Sequence, residues 1–123
     1  MLTKCLIIST ANDVVRLNPE TIVYISADGN YCSVMLIDNE TRLLSYQLGT
    51  VEDMIRDQLG DEGLLFVRIG RGLIINRNYI YYINIQNQKL ILSDNVRFFH
   101  TVSASKDALK NLKDLVDKEA KKK

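Results

Sequence analysis

The chain has 123 residues, of which 46% are hydrophobic and 25% charged, and its formal net charge is +1. This composition predicts one globular domain with a sizeable core. The longest apolar run covers residues 79–83, too short to cross a membrane, and the N-terminus has no signal-peptide pattern. Two cysteines within apolar segments suit a reduced, cytoplasmic protein better than a disulfide scaffold.

The first half of the chain alternates runs of β-branched and aromatic residues with turn residues. These runs predict strands at residues 4–9, 13–17, 21–27, 31–37 and 41–47. The sequence Asp28-Gly29-Asn30 is a strong turn signal, and it predicts a hairpin between the third and fourth strands. We therefore expect this half to form a β-meander.

Residues 50–59 change to the period of a helix. Their apolar positions fall on one helical face: Val51, Met54, Ile55 and Leu59. Thr50 is predicted to cap the first turn, and Gly60 is predicted to end the helix. We expect a short amphipathic helix that covers one face of a sheet.

The second half begins with two apolar runs, within residues 64–80, around a bend at residues 70–72. Further strands are predicted at residues 79–85, 89–92 and 96–100. A helical stripe then follows Ser105, and either Ser103 or Ser105 can supply its N-cap. The stripe consists of Leu109, Leu112, Leu115 and Val116. We expect a single domain over residues 1–117 and a disordered basic tail over residues 118–123.

The sequence offers little chemistry for catalysis. The single histidine, His100, lies in an aromatic strand with no nucleophile or metal-type spacing beside it. The bend at residues 70–72 lacks the Lys-Ser/Thr pair of a phosphate loop. We therefore expect a binding protein that is not an enzyme and that uses no cofactor or metal.

Positive charge is concentrated in one window. No acidic residue lies between Glu62 and Asp94. The window contains four basic residues, Arg68, Arg71, Arg77 and Lys89. Residues 1–117 hold 12 Lys/Arg against 14 Asp/Glu, so a polyanion would have to bind this local patch. Arginine suits phosphate oxygens and guanine edges, and Arg68, Arg77 and Lys89 are candidate phosphate contacts. Equally, these residues can be ordinary solvent-facing strand positions.

Polar residues at predicted strand ends add a second kind of signal. Asn30, Tyr31, Arg71, Ser105 and Lys106 would form a row if the sheets place these ends on one edge. Such side chains can contact base edges and phosphates. The alternatives are turn chemistry for Asn30, cross-strand packing for Tyr31 and a plain helix cap for Ser105.

The order of these segments resembles a known family. Residues 22–31 read IVYISADGNY, similar to the pattern I-x-Y-I-E-A-x-x-x-Y, and residues 66–76 read FVRIGRGLIIN, similar to F-x-R-I-H-R-S-x-I-V-N. Residues 50–59 match a short helix, and residues 102–112 resemble a closing V-S-R helix entry. With these segments in this order, residues 14–116 resemble the LytTR family, the mainly β DNA-binding output domain of many bacterial response regulators.

The resemblance implies a mainly β fold, a β-β-β sandwich of small, mostly antiparallel sheets with one short internal helix and a C-terminal helix. It implies that loops enter successive major grooves at direct repeats. The DNA-facing positions would be Asn30, Tyr31, Gly70, Arg71, Gly72, Ser105 and Lys106, with Ser103 as an alternative for the serine. The family usually has His and Ser at positions 70 and 72, and arginine at position 106.

Two functions are then in competition. The first is a stand-alone, cytoplasmic, sequence-specific transcriptional regulator that binds double-stranded DNA, with a second copy on an adjacent repeat and a regulatory protein as further partners. Membranes are not expected as partners. The second is a LytTR-like protein-interaction module, or anti-activator, that has lost specific DNA reading because positions 70 and 72 carry no side chains. A small-molecule-binding β-sandwich ranks third, since no convergent polar pocket is visible.

Overall fold

The computed structural model describes residues 4–121. They form three antiparallel sheets and two α-helices, as the mainly β prediction requires. Two compact units meet in the sequence between Asn78 and Tyr79.

The first unit holds two sheets. Strands β1 (Leu6–Ser9) and β2 (Val14–Leu17) pair as a hairpin. The larger sheet contains β3 (Ile22–Asp28), β4 (Tyr31–Leu36), β5 (Thr41–Leu44), β6 (Phe66–Ile69) and β7 (Leu73–Asn76). Its strand order is β5-β4-β3-β7-β6, with every neighbouring pair antiparallel. Strands β3, β4 and β5 form a meander as predicted, but β1 and β2 pair in a separate sheet. Strand β5 also stops at Leu44, where the sequence predicted a strand to residue 47.

Helix α1 (Leu48–Leu59) packs against β1 and completes the core of this unit. Its residues Val51, Ile55 and Leu59 are buried in one apolar cluster with both sheets, and Met54 packs against that cluster. The predicted stripe is therefore confirmed. Gly60 ends the helix with a φ of 56°, and its N–H donates to the carbonyl oxygen of Arg56.

The predicted start of α1 is wrong. The N-cap is Gln47, whose side chain makes no capping bond, and Thr50 lies inside the first turn. Leu48 is 4% exposed and belongs to the core cluster. The N-cap therefore lies three residues before Thr50, the position that capping preference selects, and burial of Leu48 accounts for the earlier start.

Side-chain amides support the edges and ends of strands. From α1, the Gln58 amide oxygen accepts from the Ile7 N–H at 2.8 Å, and its NH2 group donates to the Ile7 carbonyl at 2.9 Å. At the end of β7, Asn76 is 1% exposed. Its Nδ2 donates to the Ile22 carbonyl at 2.9 Å, and its Oδ1 accepts from the Asn78 N–H at 2.9 Å. Because these bonds satisfy a buried amide, Asn76 is a scaffold residue.

Short 3-10 helices join several of these strands. They cover Pro19–Thr21, Gly60–Leu65 and Arg77–Tyr79. Asn18 caps the first one, since its Oδ1 accepts from the Glu20 N–H at 3.0 Å. The two cysteines, Cys5 and Cys32, are free thiols, and burial raises the pKa of Cys32 to about 11.

The second unit contains β8 (Ile80–Asn84), β9 (Lys89–Ser93), β10 (Phe99–Ser103) and α2 (Lys106–Lys121). The sheet order is β10-β9-β8, and α2 packs against β8. Four leucines are buried in this unit: Leu90, Leu92, Leu109 and Leu112. They include the first half of the predicted stripe of α2.

Two sequence predictions need correction here. A strand was expected at residues 96–100, but β10 begins at Phe99. One carboxylate oxygen of Asp94 accepts from the N–H groups of Val96, Arg97 and Phe98, which holds these residues in a loop. The expected disordered tail also starts inside a helix, because α2 continues to Lys121. Residues 122 and 123 of that tail lie outside the described residues.

Candidate nucleic-acid interface

The topology of the first unit brings two turns to the same end of the five-stranded sheet. Ser26, near the end of β3, pairs with Leu73 at the start of β7. One residue further along β3, the Ala27 N–H donates to the Gly72 carbonyl at 2.9 Å. The β3–β4 turn and the loop at residues 70–72 therefore lie side by side. The resemblance assigned both segments to DNA, and the structure places them together.

The β3–β4 turn is a tight hairpin in which Asp28 pairs with Tyr31. Gly29 takes a φ of 63°, which suits glycine at the first central position. The Oδ1 atom of Asn30 accepts from Nε2 of Gln47, the residue before α1, at 3.2 Å. Tyr31 is 47% exposed. Asn30 thus has a structural partner for its oxygen, while its NH2 group is a hydrogen-bond donor at the same end of the sheet.

Arg68 holds the neighbouring loop in place. Its Nε donates to the Gly70 carbonyl at 3.1 Å, and its Nη2 donates to the Arg71 carbonyl at 2.8 Å. Its Nη1 donates to Oε1 of Glu52 on α1 at 2.6 Å. The sequence made Arg68 a candidate phosphate contact, but its guanidinium is directed to the loop backbone and the helix. Its role in the structure is to position residues 70–72.

Arg71 is the exposed residue at the tip of this loop. Within residues 4–121 its guanidinium has no hydrogen-bonded or ionic partner, while its backbone is fixed by Arg68. A fixed backbone below an unpaired planar cation suits forked recognition of a phosphate or a guanine edge. Gly70 has a φ of 62°, whereas Gly72 has ordinary backbone geometry, and a Cβ at either position would meet no atom within 4 Å.

The start of α1 reaches the same end of the sheet, because β5 ends at Leu44 opposite Cys32. The side chain of the N-cap residue Gln47 accepts no hydrogen bond from the first N–H groups of this helix. A helix N-terminus of this kind favours anions. It adds a phosphate-compatible edge beside Asn30 and Arg71.

The second unit gathers its own set of predicted residues. Lys89 pairs with Ser103 at the end of β10, and the chain then leads directly to Ser105 and Lys106. The hydroxyl of Ser105 accepts from the Ala108 N–H at 3.1 Å, so Ser105, and not Ser103, caps α2. Lys106 is the exposed first residue of that helix. Lys89, Ser105 and Lys106 therefore share one end of the second unit.

Arg77 does not join Arg71. It lies in the 3-10 helix after β7, at the opposite end of that strand from the loop at residues 70–72. Two residues of the site were absent from the sequence prediction, Gln47 and Glu52. Neither belongs to a motif, and Glu52 stands 16 residues from its partner Arg68. Only the folded arrangement of helix and loop reveals them.

Across residues 4–121, no group of three His, Cys, Asp or Glu side chains is arranged to hold a metal ion. None of the helices in this range combines the length and the apolar character that a membrane span requires.

Comparison with known proteins identifies the family. The family model described as LytTr DNA-binding domain matches residues 12–117. Among solved structures, a LytTr DNA-binding domain from Bacillus cereus is similar, with a TM-score of 0.63 and 20% sequence identity over 94% of this chain and 98% of that one. No curated protein matches the sequence. The family match covers most of the chain, the resemblance seen in the sequence is confirmed, and the protein belongs to the LytTr DNA-binding domain family.

Proposed function

We propose that this protein is a cytoplasmic, sequence-specific transcriptional regulator that reads direct repeats in the major groove of double-stranded DNA and catalyses no reaction. The observation that carries the proposal is the arrangement of Arg68 and Arg71. One arginine fixes the loop backbone, and the next presents an unpartnered guanidinium at the exposed tip. Family membership supports DNA as the ligand.

The roles follow from donor chemistry. Arg71 can bind O6 and N7 of guanine with two parallel hydrogen bonds, and the NH2 group of Asn30 can donate to a base or a phosphate. Tyr31 offers an exposed phenol beside them. In the second unit, Lys89 and Lys106 supply positive charge for phosphates, and Ser105 combines helix capping with a place at the helix N-terminus.

Selection of bound duplexes from a random library by the full chain, near physiological salt, tests this proposal. We expect one short motif to be enriched in spaced direct repeats, with two copies of the protein on adjacent repeats. On that motif, Arg71→Ala should cost roughly 1–3 kcal/mol of binding free energy. Arg16→Ala, at an exposed arginine of β2, is the matched control and should leave the affinity nearly unchanged.

A protein-interaction function is the second candidate, and the open space above Gly70 and Gly72 favours it. Positions 70 and 72 contribute no side chain to a groove. If no motif is enriched and binding disappears as salt is raised, only electrostatic attraction remains. The proposed reading of DNA would then be wrong, and a regulatory protein partner would become the ligand to seek.

A further inference from the structure

The three-stranded sheet of the second unit has one face that is rich in exposed aromatic side chains. Tyr81 is 51% exposed, Tyr82 45% and Phe99 56%. Leu90 and Leu92 point to the opposite, buried face, because side chains alternate along β9. Three large rings on one open sheet face are unusual, since apolar rings are normally placed where a partner covers them.

A bulge in β8 produces this arrangement. The register passes from Ile80 opposite Leu92 to Tyr82 opposite Ile91, so Tyr81 is an extra residue. A bulge redirects side chains, and here two consecutive tyrosines are both exposed. The ring of Tyr81 meets that of Phe99, from β10, at a centroid distance of 5.3 Å and an angle of 82°. The two rings support each other above the sheet.

Tyr82 is held in a different way. Its hydroxyl oxygen accepts from Nδ2 of Asn84, two residues further along β8, at 3.1 Å. In the register Tyr82 stands opposite Ile91 of β9, and 45% of Tyr82 is exposed. The hydrogen bond fixes the position of the hydroxyl at one end of the ring.

The same face carries positive charge at its far end. Lys89 stands between Asn84 and Ser103 in the register, and it is exposed. Strands β8, β9 and β10 contain no aspartate or glutamate. The face therefore combines flat apolar rings with a lysine that has no acidic residue on the three strands around it. Asn84 and Ser103, its neighbours in the register, add hydrogen-bonding groups.

We propose that this face binds a short stretch of single-stranded nucleic acid, with bases stacked on Tyr82 and Phe99 and a phosphate held by Lys89. An anionic backbone that carries flat rings matches both parts of the surface, whereas an acidic peptide matches only the cation. This site lies on a sheet face, and of the residues assigned to duplex DNA it shares only Lys89. Its aromatic rings have no part in the proposed function, so the inference goes beyond that function.

Fluorescence anisotropy tests the proposal with the full chain and two labelled probes, an oligothymidylate and an oligouridylate, near physiological salt. We expect Tyr82→Leu to weaken binding by about five- to 150-fold, because leucine has no aromatic face. Tyr82→Phe keeps the ring and should bind nearly as well as the wild type. Lys89→Ala should weaken binding and reduce its dependence on salt. Tighter binding of one probe assigns the ligand as DNA or RNA.

Controls make the result specific to the sheet face. Leu64→Ala removes an exposed apolar side chain from the first unit and should change nothing. Arg71→Ala should lose duplex reading while keeping the single-strand affinity, so the two functions fail separately. Thermal melting of each variant checks that the fold is kept. Equal binding by Tyr82→Leu and the wild type, or no binding by the wild type, overturns the proposal. The proposal is also overturned if the face drives only self-association. In that case the mass of the protein in solution would rise with its concentration, and would be lower for Tyr82→Leu.

Discussion

Oε1 of Glu52 lies 2.6 Å from Nη1 of Arg68, so an acidic side chain of α1 supports the loop that presents Arg71. Both side chains are only partly exposed, at 42% and 28%. The contact joins the helix to the loop through the same guanidinium that binds two loop carbonyls. An acidic residue near a surface that binds DNA would ordinarily oppose binding. Here Glu52 instead helps to hold Arg68, which fixes the loop backbone.

The first prediction follows from this contact. Removal of an acidic residue generally strengthens DNA binding by electrostatics, but Glu52→Ala should weaken binding to the selected motif, because Arg68 would lose a fixed partner. We expect a loss of about 1 kcal/mol or less, as befits a partly exposed pair. Titration of the motif by each variant measures it. Glu52→Gln keeps an acceptor oxygen and should recover part of the loss, and Glu62→Ala is the control. Stronger binding by Glu52→Ala would contradict this role.

The two glycines of the loop should respond differently to a side chain. At Gly72 an added Cβ meets nothing within 4 Å and φ is ordinary, so Gly72→Ser should change the free energy of unfolding by no more than about 0.5 kcal/mol. At Gly70 the φ of 62° penalises any L-residue, and Gly70→Ala should cost about 1–2 kcal/mol. Urea denaturation of both variants provides the comparison. Equal stability of the two variants would show that the conformation at Gly70 is not constrained.

Ser105 allows capping and phosphate contact to be separated. Ser105→Ala should cost about 1 kcal/mol of stability, because the Ala108 N–H loses its acceptor. Ser105→Asp retains an acceptor and should restore stability, yet its negative charge should weaken DNA binding. Thermal melting and DNA titration of the same two proteins give both quantities. If Ser105→Asp binds DNA as tightly as the wild type, Ser105 is a cap alone.

The stability of the loop before β10 should depend on pH through Asp94. Partial burial acts to raise the pKa of this carboxyl, but N–H groups of Val96, Arg97 and Phe98 and the Arg97 side chain outweigh it and lower the pKa well below its usual range. A group with a depressed folded pKa stabilises the protein fully above its unfolded pKa, about 3.9 for aspartate. That contribution declines as pH falls toward the folded pKa.

Asp94→Ala should therefore be less stable than the wild type at pH 6, and the difference should shrink below about pH 4. Urea denaturation of both proteins across this range measures it. Asp13→Ala is the control, because it also removes a loop carboxylate, but one that accepts from the Thr10 hydroxyl. A stability difference that stays constant down to the lowest pH would mean that the charge of Asp94 contributes nothing.

The sequence predicted local patterns well wherever one residue dominates a turn. Gly29 and Gly60 both take positive φ values at the positions expected from their neighbours. The sequence did not predict the start of an element where a tertiary contact or a local side-chain hydrogen bond determines it. Burial of Leu48 sets the start of α1, and the hydrogen bonds of Asp94 delay the start of β10.

The candidate site shows the same division. Asn30 and Arg71 were identified from residue type and order, and antiparallel pairing of β3 with β7 brings their segments together. The role of Arg68 could not be predicted, because its partners include a helix residue and two carbonyl oxygens. In the sequence, an arginine that binds backbone carbonyls cannot be distinguished from one that binds a phosphate. The predicted contact of Arg68 with phosphate stays untested.

The paired hydrogen bonds between Gln58 and Ile7 have a consequence for solubility. An edge strand offers free N–H and C=O groups to any extended segment of another chain, and β-rich proteins must block such pairing. Ile7 is 41% exposed and lies in the two-stranded sheet, where one flank of β1 has no neighbouring strand. The Gln58 amide occupies both backbone groups of Ile7 as a neighbouring strand would. At Ile7 a single side chain therefore takes the hydrogen bonds that an added strand would need, which opposes strand addition at this point of the edge.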